Sequence, residues 1–375
     1  MPDKLLHTAA VPFESARKLD AGNTIPQGHR SRRLHGHSFV AMVHAELPGD
    51  WASFPGAETD ELCAALKAAV APLDYHCLND IVAMPSDENL ARWIAARMDV
   101  PGVRLTGVQS TQEQGVDFAN NDRLHLWRRY AFESAHHLPN VSSGHPCGRM
   151  HGHGFMVIVH VEQAMKSRRG AIDYDHLDNL WAGIHRELDQ TCLNDIPGLG
   201  NPTSELIASW IWNRLKPELP ELTRITVYET ATCGAHFDGA NYKIWKDLSL
   251  DSALKLARAP VGDRRRRIHG HTYTLRLQLS APLNAVMGWT TDFGDVKEIF
   301  TPTFQRLDHQ PLHEIKGLKD NDVASLLAWI RATVANDIPS LDRIELYYRR
   351  GCGAILDWGG RANRVADQSG PPLPV

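Results

Sequence analysis

Residues 130–155 read YAFESAHHLPNVSSGHPCGRMHGHGF. An aromatic and small-residue run ends in His136. A Gly/Pro/Ser-rich stretch follows, and a second run opens on His151-Gly152-His153. Histidines at i and i+2 of a strand project to one face, so a hairpin folding back through this loop brings His136 against His151 and His153. Three neutral imidazoles with a fourth position left open are the ligand set of a catalytic zinc site. Cys147, four residues before His151, shares the loop, and a thiol beside a dication ionises easily enough to act as base or nucleophile.

The triplet recurs at His35-Gly36-His37 and His269-Gly270-His271, 116 residues before and 118 after. Other signals fall into register with it. Phe13-Glu14-Ser15-Ala16 matches Phe132-Glu133-Ser134-Ala135, and Leu250-Asp251-Ser252-Ala253 follows more weakly. Leu73-Asp74, Leu188-Asp189 and Leu307-Asp308 align, as do Trp93-Ile94, Trp210-Ile211 and Trp329-Ile330. Repetition at this period means tandem copies of one unit.

In the middle copy, Leu124–Leu138 and Phe155–Glu162 read as strands. Tyr174–Gln190 and Thr203–Leu215 carry apolar residues at helical spacing, and Arg224–Thr230 and Phe237–Trp245 read as two closing strands. The unit is ββααββ, an α+β arrangement of antiparallel sheet with both helices on one face. Such a sheet has two open edges, and three of them pairing edge to edge form a closed pseudo-threefold β-barrel without exposed edges. The joins near 120–122 and 245–247 are too short for beads on a flexible string. The expected units are 1–120, 121–245 and 246–362, with a loose proline-rich tail at 363–375.

Forty basic and 44 acidic residues give a net charge of -4, which supplies no general attraction for nucleic acid or an anionic membrane. The clusters Arg30, Arg32, Arg33 and Arg264–Arg267 lack interleaved aromatics and read as solvated loops able to attract a polyphosphate. Six scattered cysteines suit free thiols in the cytoplasm, and no window approaches the roughly 18 apolar residues of a membrane span.

Together, Phe132 to His136, Cys147 to His153, Leu307-Asp308-His309, Pro202-Thr203-Ser204-Glu205 and Glu229-Thr230 resemble the 6-pyruvoyl-tetrahydropterin synthase and 6-carboxytetrahydropterin synthase family. The similarity runs over roughly residues 4–360, as three fused copies of its tunnelling fold. The resemblance implies a zinc-dependent lyase acting on 7,8-dihydroneopterin triphosphate. The short Cys-x3-His spacing looks like the carboxytetrahydropterin branch, which feeds a 7-deazaguanine (queuosine) precursor. It implies His136, His151 and His153 as Zn2+ ligands, Cys147 with Asp308 and His309 as the proton-moving groups, and Glu229, with Glu205, on the pterin ring. It also implies a homodimer of stacked pseudo-trimeric rings. A pyruvoyl product, or a non-catalytic pterin or purine binder, are the alternatives.

The copies depart from this pattern in complementary ways. The first has Arg17, Ser31, Tyr75 and Gln109 at the positions of the first zinc histidine, the cysteine, the dyad histidine and the glutamate. The second has Asp189-Gln190 in place of Asp-His. The third keeps Asp308-His309 but has Leu254, Arg265 and Tyr348. The expectation is one composite site at the seam between units two and three.

Overall fold

The computed structural model describes residues 3–19, 25–119, 123–164, 173–280, 282–284, 288, 293–318 and 320–359; the expected tail at 363–375 lies outside them. The first unit contributes β1 (Lys4–Arg17), β2 (His35–Ala45), β3 (Val103–Thr111) and β4 (Gln114–Ala119). The second contributes β5 (Arg123–His136), β6 (His151–Ala164), β7 (Leu222–Thr230) and β8 (Cys233–Phe237). The third contributes β9 (Tyr242–Leu254), β10 (His269–Ser280), β11 (Leu341–Arg349) and β12 (Cys352–Asp357).

Neighbours pair in the order β8-β7-β6-β5-β4-β3-β2-β1-β12-β11-β10-β9, and β8 returns to β9. The result is a closed twelve-stranded antiparallel barrel, with no free edge. Three hairpin-like seams join the units: Gln114↔Arg128 to Ala119↔Arg123, Cys233↔Lys246 to Phe237↔Tyr242, and Lys4↔Asp357 to Thr8↔Gly353.

One strand differs from the sequence reading. The fourth strand of the middle unit is Cys233–Phe237, while Tyr242–Trp245 opens the next unit's first strand. Asp238 bends the chain between them by accepting the N–H groups of Ala240 and Asn241 at 2.9 and 2.7 Å, with Gly239 at φ 93°. β9 therefore crosses the expected 245/246 boundary.

Strand alternation sorts side chains into two layers. Outward residues such as Phe13, Phe39, Phe132 and Phe155 pack under α1 (Glu58–Val70), α2 (Asp87–Ala95), α3 (Tyr174–Leu188) and α4 (Ser204–Leu215). The third unit does the same with α5 (Phe293–Gln305) and α6 (Val323–Val334). Inward residues form a small aromatic cluster of Trp127, Ile158, Tyr228 and Trp245, beside a polar lumen. There Asp117, His125, His160, Thr226 and His236 are hydrogen-bonded in sequence at 2.8–3.1 Å, which satisfies groups that burial would otherwise penalise.

β5 and β6 pair along their whole length to His136↔His151, but β4 accompanies β5 only to Arg128 and β7 accompanies β6 only from Met156. The end of the hairpin thus stands proud of the barrel rim. A two-residue bridge braces it, Ser134↔Thr191 and Ala135↔Cys192, and the other units repeat the brace with His76 on Ser15 and Gln310 on Ser252.

Candidate metal centre

Antiparallel register places His136 directly opposite His151, with His153 opposite Ser134 on the same face. The three rings lie with centroids 4.5, 5.0 and 5.2 Å apart. One nitrogen from each and a carboxylate oxygen of Glu229, near the end of β7, all fall within 4.8 Å of one another. Glu229 Oε1 is 3.6 Å from His153 Nε2, and its Oε2 accepts a hydrogen bond from Ser204 Oγ at 3.3 Å.

Backbone carbonyls fix two of the ring orientations. His136 Nδ1–H donates to Pro202 O at 3.0 Å, and His151 Nδ1–H donates to Arg149 O at 2.8 Å, which leaves each Nε2 as a lone-pair donor. His136 Nε2 and His153 Nε2 are buried without a hydrogen-bond partner among the described residues. Burial, and then the neighbouring imidazoles, depress both pKa values, that of His136 to about 4, although its bond to Pro202 opposes the shift. Neutral imidazoles with aimed, unsatisfied nitrogens and one carboxylate fit a borderline-soft dication.

Cys147 sits in the tight turn Pro146–Gly148. Its N–H is accepted by His145 Nδ1 at 3.2 Å, and its carbonyl accepts Leu138 N–H at 2.8 Å, so the thiol loop is pinned two residues beyond His136. Glu205 is the second residue of α4 and almost fully buried. The helix cap is Thr203, whose Oγ1 accepts Leu206 N–H at 3.3 Å, so Glu205 is not needed as a cap. Thr203 Oγ1 also donates to Gly288 O of the third unit at 2.6 Å, which puts the centre at the seam between units two and three.

The dyad lies elsewhere within the chain. Asp308 Oδ1 accepts Asp251 N–H at 2.9 Å, and His309 N–H donates to Asp251 O at 2.6 Å, so the pair is clamped to β9, four strands round the barrel from β5. His309 Nδ1–H donates to Asp308 Oδ2 at 2.8 Å, which raises the histidine's pKa, while the ring is 76% exposed. Asp74 and Asp189 make the same 2.9 Å clamp to Glu14 and Glu133. The aspartate is thus a structural element of all three units, and His309 is what distinguishes the third. Tyr75, Gln190 and His309 have φ of 56, 54 and 54°, the only non-glycine positive values among the described residues. Each is held left-handed by a 2.6 Å bond to the first strand of its own unit.

In the first unit Arg17 replaces the imidazole of His136. It is buried, pairs with Asp87 at 2.7 Å, donates to Pro85 O at 2.8 Å and lies 5.0 Å from the Phe39 ring centroid. A fixed guanidinium fills the place of an ion. His29 turns away to Asp175 of the second unit, 3.0 Å, rather than to the triplet. The roles of Pro202 O, Ser204 and Gly288 were not foreseen from sequence, since contacts between residues so far apart in the chain leave no spacing signal.

A family model described as 6-pyruvoyl tetrahydropterin synthase matches the chain three times, over residues 8–116, 125–240 and 243–357. A 6-carboxy-5,6,7,8-tetrahydropterin synthase of Synechocystis is 35% identical over 122 residues, 30% of this chain and 91% of the relative. A dihydroneopterin monophosphate aldolase of Pyrococcus furiosus is 35% identical over 92 residues, 24% of this chain and 78% of the relative. Among solved structures, 6-pyruvoyl tetrahydropterin synthase of Caenorhabditis elegans aligns with TM-score 0.27 at 22% identity, covering 29% of this chain and 89% of that one.

Proposed function

This chain belongs to the 6-pyruvoyl tetrahydropterin synthase family, and on that premise we propose that it is a zinc-dependent lyase converting 7,8-dihydroneopterin triphosphate to 6-carboxytetrahydropterin through one kind of active site, centred on the middle unit. The observation that carries the reading is the convergence of His136, His151, His153 and Glu229, with the Cys147 loop pinned beside them.

His136, His151 and His153 would hold the zinc, which when bound lowers the pKa of the substrate's side-chain hydroxyls. Cys147 takes the proton from the adjacent carbon. Glu229, with buried Glu205 behind Ser204, accepts the amino and amide N–H groups of the pterin and fixes the ring. His309, kept protonated to higher pH by Asp308, returns a proton to a side-chain oxygen.

The dyad reaches the centre from a second copy. The projecting hairpins expose Ala131 and Glu133 at the rim, which suits stacking of one ring on another. A two-fold axis through unit one pairs unit one with unit one, and unit two with unit three. That register presents each exposed His309 to the partner's middle unit and explains why the losses in units two and three are complementary. The chain works as this homodimer in the cytoplasm, where its cysteines stay reduced.

Mass spectrometry of products from purified protein and 7,8-dihydroneopterin triphosphate tests the activity: carboxytetrahydropterin with acetaldehyde supports it, and a pyruvoyl product or no turnover refutes it. The shared site is tested by mixing. His136→Ala and His309→Ala homodimers are each inactive, while the re-associated mixture recovers about a quarter of wild-type turnover if dimers re-form at random.

A further inference from the structure

The third unit lacks a counterpart of His136 beside its His269-Gly270-His271 triplet but has kept a cavity there. About 540 Å³ lies between the ends of β9 and β10 and the start of α1 from the first unit, a volume in the range of small-molecule sites. Leu254 stands at the position of His136 and Tyr348 at that of Glu229. The ring of His271 packs 4.9 Å from that of Tyr348, and Leu254, Leu256 and Val323 add apolar lining.

The acids here are already committed. Asp322 accepts Ser325 N–H at 2.9 Å as the cap of α6, and Glu58 accepts Gly56 N–H at 2.7 Å. Asp60 accepts from the Tyr348 hydroxyl at 2.8 Å, from Arg265 at 3.1 Å and from Arg349 at 3.3 Å. What remains unused is specific. Among the described residues, the Tyr273 hydroxyl, on a residue only 1% exposed, has no hydrogen-bond partner, and neither has the buried Oδ1 of Asn321, whose amide nitrogen is spent on Lys255 O at 2.9 Å. At the mouth, exposed Arg264 and Arg267 make no ion pair among the described residues. Buried polar groups in native folds are rarely left unsatisfied, and two such groups lining one cavity call for a ligand that completes them.

We propose that this cavity at the seam of the third and first units is a second, metal-independent site for a flat, hydrogen-bonding heterocycle carrying a phosphate chain. A ring N–H is accepted by Asn321 Oδ1, and the Tyr273 hydroxyl bonds a ring nitrogen or oxygen. The ring lies against His271 and Tyr348, and the phosphates meet the forked donors of Arg264 and Arg267. The site goes beyond the catalytic reading and does not depend on it.

The test is equilibrium binding to full-length protein that cannot turn over: chelated wild type and, beside it, His136→Ala. The probes are fluorescent neopterin triphosphate and guanosine triphosphate. The expected result is saturable binding of at least one probe, weakened tenfold or more by Tyr273→Phe and by the surface pair Arg264→Ala/Arg267→Ala, with the corresponding phosphate-free neopterin or guanosine at least tenfold weaker. No saturable binding of either probe overturns the proposal, as does binding indifferent to both variants. Inorganic triphosphate binding as tightly as the full probes, with no effect of Tyr273→Phe, also overturns it by reducing the site to a basic patch. Failure of the catalytic reading shows separately, as zinc-loaded wild type without turnover.

Discussion

Arg17 holds the Asp87 carboxylate at 2.7 Å in the place where, one unit later, His136 points its free Nε2 at two other imidazoles. One strand-end position thus carries a resident cation in the first unit and a ligand for a cation in the second. The pair is buried on both sides and further tied down by Pro85 O and by Tyr174 of the second unit, whose hydroxyl donates to Asp87 Oδ2 at 2.8 Å.

Removing one half of that pair strands the other. Arg17→Ala is expected to destabilise the chain by about 3–5 kcal/mol in urea denaturation while leaving metal content unchanged. Replacing both partners, Arg17→Met with Asp87→Leu, is expected to cost much less. Equal losses in the two cases would mean the charge pair itself is stabilising.

The seam between units two and three rests partly on Thr203, which caps α4 and reaches Gly288 O. Thr203→Val keeps the shape but removes both hydrogen bonds, and should cost about 1–2 kcal/mol, read as a lower denaturation midpoint with unchanged m-value.

Acid should weaken the metal-free protein in a defined window. His7 and His136 are buried, and burial, the first cause for each, lowers both pKa values from 6.5 to about 4. The unfolded chain then binds more protons than the folded one between these values. Stability is full above about pH 6.5 and falls as pH drops toward 4, by up to about 1.4 kcal/mol per pH unit for each histidine. Denaturation of chelated protein at pH 7, 6 and 5 measures the slope. His7→Gln should reduce it, and a flat profile contradicts the assignment.

The dyad predicts a kinetic counterpart. Hydrogen bonding to Asp308 raises the His309 pKa, so an acid at this position keeps its proton further into the alkaline range. In Asp308→Asn the alkaline limb of the kcat/KM profile is expected to move to lower pH, since the carboxamide can still accept Asp251 N–H but no longer stabilises the imidazolium. An unmoved limb would remove His309 from the proton path.

Much of this was legible in the chain because it depends on period. The His-x-His spacing determines that His151 and His153 share a face, and the repeated Phe-Glu-Ser-Ala and Leu-Asp signals reveal three units and hence closure of the sheet. Less was legible where partners are remote. The pattern assigned Asp308-His309 to the seam of units two and three without saying which strand the pair lies on; hydrogen bonds to Asp251 hold it on β9, four strands round the barrel from β5, since pattern says which residues match and not which strand each turn lies against. The end of the middle unit was misplaced because reading Phe237 to Trp245 as one strand passes over the turn residues Asp238-Gly239-Ala240-Asn241 that divide it.

The central claim is that the middle unit alone carries the metal. Elemental analysis of the purified chain by plasma mass spectrometry tests it most directly. The account predicts one zinc per chain, lost in His136→Ala and retained in His35→Ala and His269→Ala. Three zinc ions per chain, or one that survives His136→Ala, would contradict it.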